Sequence, residues 1–284
     1  MKTRIAPTPS GYLHAGNGAA FILAWRLAQE AGGKLLLRID DLDAERVRPE
    51  YLSDLFATLD WLGVVPDEGP RNAQELQAKW SQRFRLAEAE ALLGALRTAG
   101  VLYGCDCSRK QVLERSGPDG YDGACRQKNK DLDGPGMAWR LRLPDPLVVH
   151  MRTWPDGAVQ HHRVRVPDPV VRQRNGGPAY QVASLADDLY FAVDTLVRGM
   201  DLLPSSLAQL HMAEVLGRGS FREASFMHHP LLVGPNGSKL SKSEGAPSLR
   251  RWRMDGGTAD AVRRLADKLR VADTSVVFKG FAHC

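Results

Sequence analysis

An α/β fold, a doubly wound parallel sheet carrying an inserted β-rich subdomain, is predicted by three features of this 284-residue sequence. The chain opens as strand, small-residue turn, helix and strand, the start of a parallel sheet with crossover helices. Helical periodicity fades between Val101 and Pro169, where Gly, Pro and Cys collect and short runs alternate apolar with polar. Strand-like apolar runs then return from Ala179 onward. The implied division is a first half-sheet over 1–100, an insertion over 101–169, a second half-sheet over 170–250 and a helical segment over 251–284.

The first element is a short strand running into the turn Pro7-Thr8-Pro9-Ser10-Gly11, and an Ala-rich helix follows from Gly16 to Ala31. A strand, a small-residue turn and a helix N-terminus form a site for polyphosphate, because first-turn N–H groups lack intrahelical partners. Gly16 and Gly18 are expected to let a ligand approach the backbone, and His14 stands where it can donate to a phosphoryl oxygen. Lys34 to Ile39 reads as a buried strand, ending in Asp40-Asp41-Leu42-Asp43 where open α/β sheets bind ligands. Pro49 starts a helix whose Leu52, Leu55, Phe56, Leu59 and Leu62 share one face, and Gly63 ends it. A long amphipathic helix is expected from Leu76 to Ala99.

Within the insertion, Ala138 to Leu143, Leu147 to Arg152 and Val159 to Val166 read as ribbons. Ala179 to Leu185 and Phe191 to Val197 read as sheet strands, Ser205 to Leu216 as a helix and Phe226 to Val233 as a strand. The Lys-rich loop Lys239-Leu240-Ser241-Lys242-Ser243 comes next, flanked by Gly234, Asn236 and Gly237, and Thr258 to Leu269 is a last helix.

A net charge of +5 suits an anionic partner such as RNA. No apolar run approaches the ~20 residues that span a bilayer, so no membrane partner is expected. No signal-peptide pattern opens the chain, and four Cys make no disulfide framework, so a cytoplasmic protein is expected.

His14-Ala15-Gly16-Asn17 and Lys239 to Ser243 resemble the HIGH and KMSKS signatures of class I aminoacyl-tRNA synthetases. The lead-in Arg4-Ile5-Ala6-Pro7-Thr8-Pro9-Ser10-Gly11 resembles the glutamyl branch. The resemblance covers residues 3 to about 250 and implies a Rossmann-like nucleotide-binding sheet. It implies catalysis by His14, Lys239 and Lys242, with ATP held by Pro7, His14, Gly16, Asn17 and both lysines, and Mg²⁺ travelling with the ATP. L-Glutamate would be bound by Arg4, Ala6, Ser10, Asp40, Tyr180 and Arg198, with Asp187-Asp188 between the last two. A guanidinium fork at Arg4 suits the side-chain carboxylate. Asp40 departs from the family, which usually has Glu there to hold the α-ammonium.

Cys105, Cys107 and Cys125 lie in a turn-rich segment and are candidate ligands for one structural Zn²⁺. The resemblance makes Tyr121 the fourth ligand, with Asp106, Asp122 or water as substitutes and a metal-free set as the alternative. That layout resembles a short paralogue of the glutamyl enzymes, and only about 40 residues follow Ser243, too few for an anticodon-binding domain. The resemblance then implies glutamate transfer to queuosine in tRNA(Asp) by a monomer. The alternatives are charging of a tRNA 3′ end, a non-catalytic regulatory paralogue, and a nucleotidylyltransferase. His161-His162 is expected to be exposed, His228 to pack near adenine, Cys284 to be a surface thiol, and Arg250–Arg253, Arg263, Arg264 and Lys268 to meet RNA phosphates.

Overall fold

The computed structural model describes residues 1–232 and 248–271. Lys239, Lys242, their flanking Gly234, Asn236 and Gly237, and Cys284 lie outside the described residues. The first elements are β1 (Lys2–Ile5), α1 (Ala15–Glu30), β2 (Lys34–Leu37), α2 (Pro49–Leu62), α3 (Ala73–Glu75) and α4 (Leu86–Thr98). There follow β3 (Leu102–Cys105), α5 (Arg109–Ser116), β4 (Ala138–Leu141), β5 (Leu147–Thr153), β6 (Val159–Val164) and β7 (Val170–Arg172). The last are α6 (Tyr180–Tyr190), β8 (Thr195–Gly199), α7 (Leu203–Val215), α8 (Gly219–Arg222), β9 (Ser225–His229), α9 (Leu249–Met254) and α10 (Ala259–Val271). No helix among the described residues is long and apolar enough to cross a membrane.

Two compact units divide the chain. Among the described residues, the first holds 1–84, 193–203, 225–232 and 248–271. In it β1 pairs in parallel with β2, from Lys2 opposite Lys34 to Ile5 opposite Leu37. β8 pairs in parallel with β9, from Thr195 opposite Ser225 to Gly199 opposite His229. β1 runs beside β8, where the Asp194 N–H donates to the Lys2 carbonyl at 3.1 Å. α1 crosses from β1 to β2, as a parallel pair requires. Its Ala19, Phe21, Ile22, Leu23 and Leu27 pack into one apolar core with Leu35, Leu37, Leu55, Leu59, Val262 and Leu269. Gly18 belongs to this packing. A Cβ there would lie 2.8 Å from Leu249 Cδ1 and 3.0 Å from Val262 Cγ1, so its small size serves helix contact instead of ligand approach. α2 begins at Pro49 and stops at Gly63, whose φ of +70° favours glycine.

The second unit holds residues 85–192 and 204–224. β4 lies between β3 and β7 in an antiparallel sheet, and β5 and β6 form a hairpin with His150 opposite His161. The β5 pattern alternates buried and exposed residues as its sequence does.

Three expectations fail here. The helix expected over Leu76–Ala99 is broken: a wide turn spans Leu76–Trp80, Ser81 is extended at ψ 142°, and α4 starts only at Leu86. Asp41 accepts from the Gln82 N–H at 2.8 Å and Ser81 Oγ from the Arg83 N–H at 3.3 Å, so side chains take backbone donors a helix would use. The strand expected over Ala179–Leu185 is helix α6, because Val182, Ala183, Leu185 and Ala186 bury one helical face. The following strand lies at Thr195–Gly199, displaced from Phe191–Val197, since α6 runs on to Tyr190.

Candidate active site and metal centre

α1 starts on His14. Its Nδ1 accepts from the Gly16 N–H at 3.1 Å, while Asn17 Oδ1 accepts from the His14 N–H at 3.1 Å. The two side chains therefore cap the helix reciprocally. An imidazole whose Nδ1 accepts carries its neutral-form proton on Nε2. Gly16 makes this fold-back possible, since a Cβ there would lie 3.0 Å from His14 Cε1. Ser248 bridges to His14, and the Leu249 N–H donates to the Leu13 carbonyl at 2.8 Å. The start of α9, downstream of the Lys-rich loop in sequence, is thus tied to the turn that carries the histidine.

Arg4 is 4% exposed near the end of β1, and its Nη1 donates to the Val197 carbonyl of β8 at 3.5 Å. Arg198, on β8, is 3% exposed. Asp40 follows β2 and is 8% exposed, with Arg38 donating to both its oxygens at 2.7 and 3.1 Å. The Asp40 N–H donates to the Pro7 carbonyl at 3.0 Å, joining this strand end to the turn of Pro7 and Ser10. Three buried guanidiniums, of Arg4, Arg38 and Arg198, and one buried carboxylate thus lie at or near the carboxyl ends of parallel strands, where such sheets take their ligands.

In the second unit the Cys105, Cys107 and Cys125 sulfur atoms lie within 4.8 Å of one another, with Cys107 and Cys125 3.4 Å apart. Zinc–sulfur bonds of about 2.3 Å in a tetrahedron set sulfur atoms about 3.8 Å apart, so the three thiols fit zinc. The Tyr121 hydroxyl is 3.5 Å from Cys105 Sγ and accepts from the Cys125 N–H at 2.8 Å. Burial pushes the Cys105 thiol up, but hydrogen bonds from Tyr121, Arg140 and the Cys107 backbone outweigh it and bring it down to about 7. Burial and Cys105 hold the Tyr121 hydroxyl well above its ordinary value. Asp106 instead pairs with Lys130, and Asp122 with Arg115 at 2.7 Å. Asp106 Oδ1 also accepts from Cys125 Sγ at 3.6 Å, so both it and Tyr121 reach the thiols, Tyr121 buried among them and Asp106 at the exposed edge.

Residues 1–259 match the family of class I tRNA synthetases (E and Q), catalytic domain. The chain belongs to that family. A protein of Nitratidesulfovibrio vulgaris named glutamyl-Q tRNA(Asp) synthetase is 34% identical over 90% of this chain and 82% of its own length. One of the same name from Symbiobacterium thermophilum is 36% identical over 91% and 83%. A glutamate–tRNA ligase of Frankia alni is 33% identical over 93% of this chain, which spans 54% of that relative. The solved glutamate–tRNA synthetase of Elizabethkingia anophelis matches in fold with a TM-score of 0.73 at 22% identity, over 96% of this chain and 64% of that one.

Against the expectations for a class I synthetase, the first unit gathers Arg4, Ala6, Pro7, Ser10, His14, Gly16, Asn17, Asp40 and Arg198. Tyr180 belongs to the second unit and stands first in α6, 41% exposed. Asp187 is engaged within its own unit, accepting from Arg85 Nε at 2.5 Å. His228 is buried and stacks on Phe226 at 6.0 Å. His162 is buried, contrary to expectation, because it takes an inward position of β6, while His161 stays exposed against His150. Arg253 reaches Asp54 at 2.7 Å and Arg263 the Leu62 carbonyl at 3.2 Å, so both are used inside the fold.

Sequence reasoning missed Arg38 and Arg140. Arg38 stands two residues before Asp40, on the same side of an extended chain, and that spacing was the available signal. Arg140, whose guanidinium lies 3.5 Å over the Tyr121 ring, has no such signal.

Proposed function

We propose that this chain activates L-glutamate with ATP and transfers the glutamyl group to queuosine in tRNA(Asp). The observation that carries the reading is the presence in one unit of buried Arg4 and Arg198 and a buried Asp40 held by Arg38, a charge pattern matched to an amino acid with an acidic side chain. The glutamyl-Q relatives, matched over most of both chains, support queuosine as the acceptor.

Arg4 would face the side-chain carboxylate and Asp40 the α-ammonium, with Ala6, Ser10 and Arg198 of the same unit completing the pocket. The α-carboxylate then attacks the α-phosphorus of ATP and pyrophosphate leaves. No protein nucleophile is needed, so positioning and charge neutralisation do the catalysis. His14 Nε2–H would donate to a phosphoryl oxygen, beside the backbone of Pro7, Gly16 and Asn17, while Lys239 and Lys242 would neutralise the triphosphate, whose oxygens would also carry Mg²⁺. In the second step a queuosine hydroxyl attacks the glutamyl carbonyl and AMP leaves. Cys105, Cys107, Cys125 and Tyr121 would hold a zinc ion that braces the β3–α5 segment.

Labelled glutamate supplied with ATP and tRNA, with and without queuosine, tests this. Label is expected in the anticodon loop of queuosine-containing tRNA(Asp) alone. Label on the 3′ adenosine would establish the glutamate–tRNA ligase reading instead, and absence of glutamate-dependent ATP–pyrophosphate exchange would end both.

A further inference from the structure

The three cysteines and Tyr121 stand among cations. Arg115, near the end of α5, donates from Nη2 to Cys107 Sγ at 3.5 Å. Its Nε and the same Nη2 also fork onto Asp122 at 2.7 and 3.1 Å. On the other side, the Arg140 guanidinium lies over the Tyr121 ring at 3.5 Å and donates to the Asp168 carbonyl at 2.6 Å. Asp168 in turn takes Arg126 at 3.2 Å and the Tyr103 hydroxyl at 2.6 Å, which fixes the segment that holds Arg140.

Three thiolates and a phenolate around one Zn²⁺ carry a formal net charge of minus two. Such a centre, half enclosed by protein, is costly unless charge of the opposite sign lies close. A sulfur accepting from a guanidinium and a ring lying under another supply that charge without adding a ligand.

We propose that Arg115 and Arg140 are positioning residues of the metal centre, offsetting the surplus negative charge of a Cys105–Cys107–Cys125–Tyr121 zinc site. The inference rests on the zinc reading given above. Neither residue contacts the metal. Arg115 acts through the Cys107 sulfur, and Arg140 through the Tyr121 ring and the Cys105 sulfur.

A purely architectural role makes a different prediction. If the Arg115–Asp122 pair only clamps α5 to the following loop, removing either partner weakens the site equally. If charge is what matters, the two substitutions diverge. The purified full chain and its variants Arg115→Gln, Asp122→Asn and Arg140→Gln are to be compared for zinc content by elemental mass spectrometry. Zinc affinity is read by competition with a chromogenic chelator. Arg115→Gln is expected to bind zinc about ten-fold more weakly, and Asp122→Asn at least as tightly as the unaltered chain. Arg140→Gln should weaken binding in the same direction, and if it does not fold the Arg115 and Asp122 pair decides. Equal losses for Arg115→Gln and Asp122→Asn, or no loss for Arg115→Gln, overturn the proposal. An unaltered chain that neither contains nor takes up zinc removes the zinc reading itself, a result visible before any variant is made and independent of glutamate transfer.

Discussion

Arg38 grips both carboxylate oxygens of Asp40, at 2.7 and 3.1 Å, from two residues earlier in the chain. The shorter side chain at position 40 is thereby held by its own strand end, with an orientation set before any amino acid arrives. Asp40→Ala removes one partner of a buried pair and is expected to lower unfolding free energy by about 3 kcal/mol in urea titration. It should also raise KM for glutamate in ATP–pyrophosphate exchange. The double variant Arg38→Met/Asp40→Ala should regain much of the stability and none of the glutamate affinity. A double variant as unstable as the single one would show that the uncompensated guanidinium is not the cause.

His14 caps α1, and the proposed donation to phosphate is a second role that can be separated from it. Asn at this position can cap the helix but has no imidazole N–H to present. His14→Asn is expected to unfold within about 1 kcal/mol of the unaltered chain, whereas exchange activity falls by about 100-fold or more. His14→Ala should lose activity equally and stability by a further ~1 kcal/mol. Retention of exchange by His14→Asn would refute the donor role.

Gly18 lies where α1 meets α9 and α10, with Leu249 and Val262 too close for a Cβ. Gly18→Val is expected to destabilise by about 1–3 kcal/mol through overpacking, measured by thermal or urea unfolding. Gly94 on α4 has open space around it, so Gly94→Ala is the control and should be neutral or mildly stabilising.

Burial lowers the affinity of His162 for a proton below the ordinary imidazole value near 6.5. Protons then bind the unfolded chain first as pH falls. The stability that His162 contributes is complete above about pH 6.5 and is lost as pH drops below it toward the depressed folded value. Urea midpoints should fall between pH 7.5 and 5.5, and His162→Phe should flatten that slope. A slope unchanged by the substitution would assign the effect to His211 and His229, which burial shifts in the same direction.

α2 could be read from the chain because Pro49, a leucine face and Gly63 are local signals that tertiary contacts do not override. The run Val182 to Ala186 could not, since five small or apolar residues in a row satisfy a buried strand and a buried helix alike. The deciding facts, Asp187 on Arg85 and the burial of Asp188, are tertiary. The break before α4 depended on Asp41, far back in the chain, taking the Gln82 N–H. At the site, His14 and the cysteines were legible because turns and thiols mark themselves. Arg140 was not, because the ring it covers belongs to a different loop.

The bond from the Leu249 N–H to the Leu13 carbonyl, with Ser248 bridged to His14, acts as a tether of known length. Lys242 precedes Ser248 by six residues and Lys239 by nine. The two signatures are far apart in the sequence, and this bond joins the chain that follows the second to the turn that carries the first.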